Sequence, residues 1–179
     1  MYLMGIKRGD EVITPANSFI ASTASIVHLG ATPVFADIDD DLNIDPKDIE
    51  NKITKKTKAI MPVHLTGRVA KMNEILEIAK KNKIEIIEDA AQSIGSKYYD
   101  KMSGSFGKVS CFSAHPLKNL NAIGDSGYLI TNDKSIFLKS KLLINHGIEK
   151  NNKVNHFGFV SRMDSFQALI LNYQLKKLK

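Results

Sequence analysis

Residues 84–93 read IEIIEDAAQS. Isoleucines 84, 86 and 87 make a short, β-rich apolar run that ends abruptly on Glu88-Asp89, and small residues follow. Similar runs recur at EVIT (11–14), TPVFAD (32–37), AIMPV (59–63), VSCFSA (109–114) and GYLIT (127–131). Helical patterns lie between several of them. Residues 18–29 form one, ending at Gly30, a natural C-terminal cap. Asp45-Pro46 opens another, with aspartate as cap and proline at the first helical position. Residues 70–82 place apolar side chains at helical spacing with lysines on the far side, and 134–144 and 162–178 are further helices. This alternation predicts an α/β fold with a mostly parallel sheet and helices on both faces. Near-continuous apolar strands imply burial on both sides. In such sheets ligands gather beyond the carboxyl ends of the strands.

The wider composition narrows the classes. With 179 residues, 43% hydrophobic and 25% charged, the chain can bury a core as one soluble domain. One cysteine, Cys111, rules out an internal disulfide framework and fits a reducing cytosol. Net charge is +6, yet acids interleave with lysines, as in DPKDIENKITKKTK, and no arginine-rich stripe with aromatics appears. Nucleic acid is therefore not the expected partner. A charged turn interrupts MYLMGIKRGDEV before any apolar core forms, so it is no signal peptide, and no apolar run approaches membrane-spanning length. The expectation is a cytoplasmic protein with no membrane contact. Five histidines are scattered without ligand spacing, so no metal is expected. MYLMGI reads as the last turn of a helix, and NYQLKKLK stops without a cap.

Three strand ends carry chemistry. PANSFIAS (15–22) presents Phe19, IIEDAAQS (86–93) presents Asp89 and Gln92, and CFSAHPLKNLNAIGDSG (111–127) presents Ser113, His115 and Lys118. Asp89 has a bland reading as a helix cap and a functional one as a carboxylate held against a protonated ring nitrogen. Lys118 is either an exposed loop lysine or, partly desolvated, a nucleophilic amine. A carboxylate and an amine at one sheet edge suit pyridoxal phosphate (PLP), whose ring acts as an electron sink while its nitrogen stays protonated.

At these residues the chain resembles the DegT/StrS-type sugar aminotransferases, PLP enzymes of the aspartate-aminotransferase fold. The resemblance runs through GDEVITPANSFIASTASIVHLGATPVFADID, TKAIMPVHLTG, IEIIEDAAQSIGS, FSAHPLKNLNAIGDSG and FGFVSRMDSFQA. It implies Lys118 as the Schiff-base lysine, Asp89 as partner of the pyridine nitrogen and Ser113 as a phosphate ligand. Gln92 would sit near the ring hydroxyl and Phe19 would stack on the ring. His115, and His64 and Arg68 in HLTGR, are candidate substrate-side residues. The implied reaction moves an amino group, with glutamate as donor, onto a nucleotide-linked keto sugar for polysaccharide or glycoconjugate synthesis, in a homodimer. Related dehydratases carry histidine where this chain has lysine, which favours amino transfer.

The resemblance also has departures. The family's phosphate-binding Gly-Thr or Gly-Ser segment lies upstream of residue 1, and the small C-terminal domain is not reached. Residues 1–179 are therefore expected to be a partial large, cofactor-binding domain. Val160 stands where many relatives place asparagine, and Gly124-Asp125-Ser126-Gly127 replaces a commoner double glycine. Two alternatives follow: a truncated, inactive homologue serving as scaffold or binding module, and a PLP-dependent sugar dehydratase.

Overall fold

The computed structural model describes residues 1–178. Its strands are β1 (Glu11–Pro15), β2 (Thr32–Ala36), β3 (Thr57–Ile60), β4 (Glu85–Asp89), β5 (Lys97–Tyr98), β6 (Lys101–Met102), β7 (Val109–Ser113) and β8 (Gly127–Ile130). Its helices are α1 (Ile20–Val27), α2 (Pro46–Lys52), α3 (Met72–Asn82), α4 (Lys134–Leu143) and α5 (Ser165–Leu175). The main sheet runs in the order β2-β1-β3-β4-β7-β8. Every pairing is parallel except β7 with β8.

Side chains alternate across each strand, so the sheet has two apolar faces. Ile13, Ile60 and Ile86 face a layer where α2 and α3 bury Ile49, Met72, Ile75 and Ala79. Val12, Ala59 and Ile87 face the other layer, closed by Ile26 of α1 and by Ile6. Each buried isoleucine contributes about 1.5–3 kcal/mol. The helices change face because the path reverses. The chain steps from β1 outward to β2, then back past β1 to β3 and on to β4. Right-handed crossovers in opposite directions put their helices on opposite sides.

The predicted helix start holds at Asp45, whose side chain accepts the Lys47 N–H, and the helix expected over 134–144 is capped by Asp133, which accepts from Ser135 and Ile136 N–H. MYLMGI forms a 3-10 turn over Tyr2–Met4, closed by left-handed Gly5. Helix α5 is shorter than its apolar pattern, running from a cap at Asp164 to Lys176. Lys179, the last residue of NYQLKKLK, lies outside the described residues.

Two expectations need correction. Strands β2 and β8 are not buried on both faces, since Phe35, Leu129 and Ile130 are exposed. They are the outermost strands of the sheet, each hydrogen-bonded to a neighbour on one side only. The hairpin β5–β6 was also not anticipated; only two residues long on each side, it carries too little alternation to read. No helix among the described residues is long and apolar enough to cross a membrane.

Gly107, in the turn entering β7, lies close against β4. A Cβ there would meet the Ile86 carbonyl oxygen at 2.9 Å, the Val109 carbonyl oxygen at 3.2 Å and the Glu88 nitrogen at 3.3 Å. All three are backbone atoms and cannot swing aside. Gly107→Ala should therefore cost about 1–3 kcal/mol, read as a lower urea midpoint.

Candidate active site

The end of β4 sends two carboxylates in opposite directions. Glu88 points to the layer containing Ile86 and is 0% exposed. One of its oxygens accepts from the N–H groups of Phe106 (2.7 Å) and Gly107 (2.5 Å) and from Ser110 Oγ (2.8 Å). The other accepts from Gly104 N–H (2.7 Å) and lies 3.0 Å from His64 Nε2. His64 Nδ1 accepts the Ala70 N–H at 3.3 Å, so the imidazole hydrogen sits on Nε2 and is donated to Glu88. Burial pushes the Glu88 carboxyl up, but the hydrogen bonds from His64, Gly107 and Ser110 outweigh it and hold the group below the usual glutamate range.

Asp89 turns the other way, into a cleft. Its Oδ2 accepts from Ser22 Oγ at 2.6 Å and its Oδ1 from Ala91 N–H at 3.1 Å. Asp89 caps a turn at 90–93, not a helix, and its carboxylate still faces the cleft. Gln92 is fixed by the loop after β3, where Thr66 N–H donates to its Oε1 at 2.9 Å. What the side chain offers a ligand is therefore its amide NH2.

Lys118 stands on a loop braced from two sides. Asn119 Nδ2 donates to the Ile94 carbonyl at 3.1 Å, and Ile123 N–H donates to Gln167 Oε1 of α5 at 2.9 Å. A small apolar cluster of Ala114, Leu120, Ala122 and Leu171 supports it from below. Lys118 takes part in none of the ion pairs among the described residues. His115 shapes this loop, with Nδ1 accepting the Leu117 N–H at 3.2 Å and its own N–H donated to Ser113 Oγ at 3.3 Å.

These pieces enclose a cavity of about 420 Å³ lined by Phe19, Asp89, Gln92, Ser113, His115 and Lys118. Six of the sequence-predicted residues meet here, drawn from loops after β1, β4 and β7. Two do not. His64 is 0% exposed and spends both ring nitrogens inside the protein, so it cannot face substrate. Arg68 is exposed and lines a separate open cleft with Lys71, Lys97 and Tyr99. The loop between them is held by Asn43, whose side chain accepts Leu65 N–H and donates to the Arg68 carbonyl.

Sequence reasoning missed Ser22, Glu88, Asn119 and Gln167. Polar residues of these types are mostly solvated, and no local pattern marks these four as different. Ser126 also lines the cavity, and its buried hydroxyl has no hydrogen-bond partner among the described residues. Its φ is not left-handed, so serine costs no backbone strain in the turn. A pyridoxal phosphate fits these residues. Asp89 suits its ring nitrogen, Lys118 its aldehyde, Ser113 and the orphaned Ser126 its phosphate, and Phe19, 69% exposed at the rim, its ring face. The volume lies in the range of about 300–1,000 Å³ usual for such sites.

Fold and cleft together define the class: an α/β protein with a small-molecule site at the carboxyl edge of its sheet. More narrowly, the chain belongs to the DegT/DnrJ/EryC1/StrS aminotransferase family, whose model matches residues 1–179. It is 46% identical over 175 residues to a pleiotropic regulatory protein of Geobacillus stearothermophilus, covering 97% of this chain and 47% of that one. It is 43% identical over 171 residues to UDP-N-acetyl-3-dehydro-alpha-D-glucosamine 3-aminotransferase of Acidithiobacillus ferrooxidans, covering 95% of this chain and 46% of that one. Among solved structures, it resembles NtdA from Bacillus subtilis with bound cofactor PMP. The TM-score there is 0.92 at 38% identity, over 99% of this chain and 41% of that one. The chain spans about half the length of the curated relatives it matches.

Because the folded Glu88 carboxyl lies below its ordinary value of 4.5, the stability it adds is in full force above pH 4.5. That stability drains away as pH drops through the lower folded value. Glu88→Gln should lower stability at pH 7 by about 3 kcal/mol and flatten the loss on acidification, both read by denaturant titration across pH.

Proposed function

We propose that this chain is the cofactor-binding large domain of a PLP-dependent aminotransferase. It would transfer an amino group from glutamate to a keto sugar carried on a nucleotide, for polysaccharide or glycoconjugate synthesis, in a cytoplasmic homodimer. The observation that carries the reading is the meeting of Asp89 and Lys118 in one cleft, far apart in sequence and backed by family membership. That the Acidithiobacillus relative acts on a UDP-linked sugar supports the substrate class.

When bound, pyridoxal phosphate supplies a carbonyl that takes up the amino group and a ring that draws off electrons. The rest is work for this chain's own side chains. Asp89 would hold a proton at the ring nitrogen and keep the ring electron-poor. Lys118 would hold the cofactor at its aldehyde end. Its amine, when free, would carry a proton to and from the substrate carbon. Ser113 and Ser126 offer hydroxyl donors to the phosphate. Phe19, at the rim, would cover one ring face, and the Gln92 amide N–H would donate to the ring hydroxyl.

Adding pyridoxal phosphate to the protein should produce a yellow species that Lys118→Ala cannot form, and glutamate should bleach it. If wild type and Lys118→Ala give the same spectrum, the cofactor reading fails; if glutamate leaves the colour intact, the donor is wrong. Asp89→Asn should slow the glutamate-dependent bleaching about 100-fold or more in stopped-flow absorbance, because the lost group is electrostatic and acts in the cleft.

A further inference from the structure

The aminotransferase reading leaves two hydroxyls in the cleft without a role. Ser22, on the first turn of α1, is only 4% exposed, and its Oγ lies 2.6 Å from Asp89 Oδ2 and 2.7 Å from Ser18 Oγ. Counting protons settles their order. A hydroxyl has one hydrogen to give, and an ionised carboxylate has none. The Ser22–Asp89 contact therefore consumes the Ser22 proton, and the Ser18–Ser22 contact must be made with the proton of Ser18. The relay runs one way, from Ser18 to Ser22 to Asp89.

This arrangement constrains the carboxylate. Its Oδ2 is held by α1 through Ser22, while its Oδ1 is held by the turn after β4 through Ala91 N–H. Bonds to the two oxygens from different parts of the fold prevent the carboxylate plane from turning. A hydrogen bond to a charged acceptor is also about twice as strong as a neutral one. Each oxygen keeps a further lone pair for a ligand. Such a bond favours keeping the shared proton on a ring nitrogen over transferring it to Asp89.

We infer that Ser22, backed by Ser18, is a positioning residue that aims Asp89 at the ring nitrogen of the pyridine cofactor. The inference rests on the cofactor reading above and adds a device to it. Nothing in the relay touches the aldehyde or the phosphate end, so its effect should depend on the ring nitrogen alone.

The test compares two ligands, pyridoxal phosphate and its 1-deaza analogue, in which the ring nitrogen is replaced by C–H. Equilibrium dialysis gives the affinity of each for wild type, Ser22→Ala, Ser22→Thr and Ser18→Ala. Ser22→Ala should bind pyridoxal phosphate about tenfold more weakly, the loss of one charge-assisted hydrogen bond, and bind the deaza analogue as wild type does. Ser22→Thr, which keeps the hydroxyl, should restore the natural affinity. Ser18→Ala should show a smaller loss, about threefold, with the same selectivity for the nitrogen-bearing ring. Equal losses for both ligands, or no loss with pyridoxal phosphate, would overturn the relay. If Ser22→Ala does not fold, Ser18→Ala decides alone by the same criterion. Failure of wild type to bind either ligand is a different result, and it removes the cofactor reading itself.

Discussion

A carboxylate sealed inside the protein survives only when hydrogen bonds replace the water it has lost, and Glu88 meets that condition with donors from both the loop after β3 and the turn before β7. Its cage ties three neighbouring strands together at the edge where ligands bind. Satisfying Glu88 fixes the end of β4. Because side chains alternate across a strand, that also sends Asp89 to the opposite face. The cleft carboxylate is thus aimed by a buried one that never touches ligand. A merely apolar residue at 88 could fill the volume, but it would leave the N–H groups of residues 104, 106 and 107 without acceptors.

The amine is positioned by different means. Among the described residues no charge cage surrounds Lys118; the loop that carries it is pinned by an amide to the turn after Asp89 and by another to α5. Gly124 permits this closeness, since a Cβ there would meet Gln167 Nε2 at 2.9 Å. The Asn119–Ile94 bond matters most for the chemistry, because it couples the lysine loop directly to the segment that follows the carboxylate.

The layout of strands and helices was legible because apolar periodicity is a property of many residues at once. Ile84, Ile86 and Ile87 announce β4 together, and Met72, Ile75 and Ala79 announce one face of α3. The cleft residues were legible through ordered blocks surrounding Asp89 and Lys118. Single polar residues were not. Glu88 and Asp89 are chemically alike and adjacent, yet one is sealed and the other faces a cavity, a difference set by strand parity and by a turn closing from residue 104 onward. His64 reads like a strand-end ligand, and only its position behind β4 turns it into a brace. Exposure of β2 and β8 likewise depends on sheet order, which no local pattern encodes.

Backbone geometry at Thr66 shows how far this logic extends. Thr66 is β-branched with φ of 53°, a left-handed conformation costing about 1–2 kcal/mol, and left-handed Gly67 follows it. Such strain persists only where the surroundings over-determine it. Here the surroundings are visible: Asn43 holds both ends of the loop, and Thr66 N–H is delivered to Gln92 Oε1. With its oxygen anchored there, Gln92 turns its NH2 toward the cleft. It is thereby set as a donor at a place where a free glutamine could swing round and offer its oxygen instead. The strain in one loop is thereby converted into a fixed polarity on the wall of the site, so a bound ring would meet an acceptor at Asp89 and a donor at Gln92, and would be oriented by both.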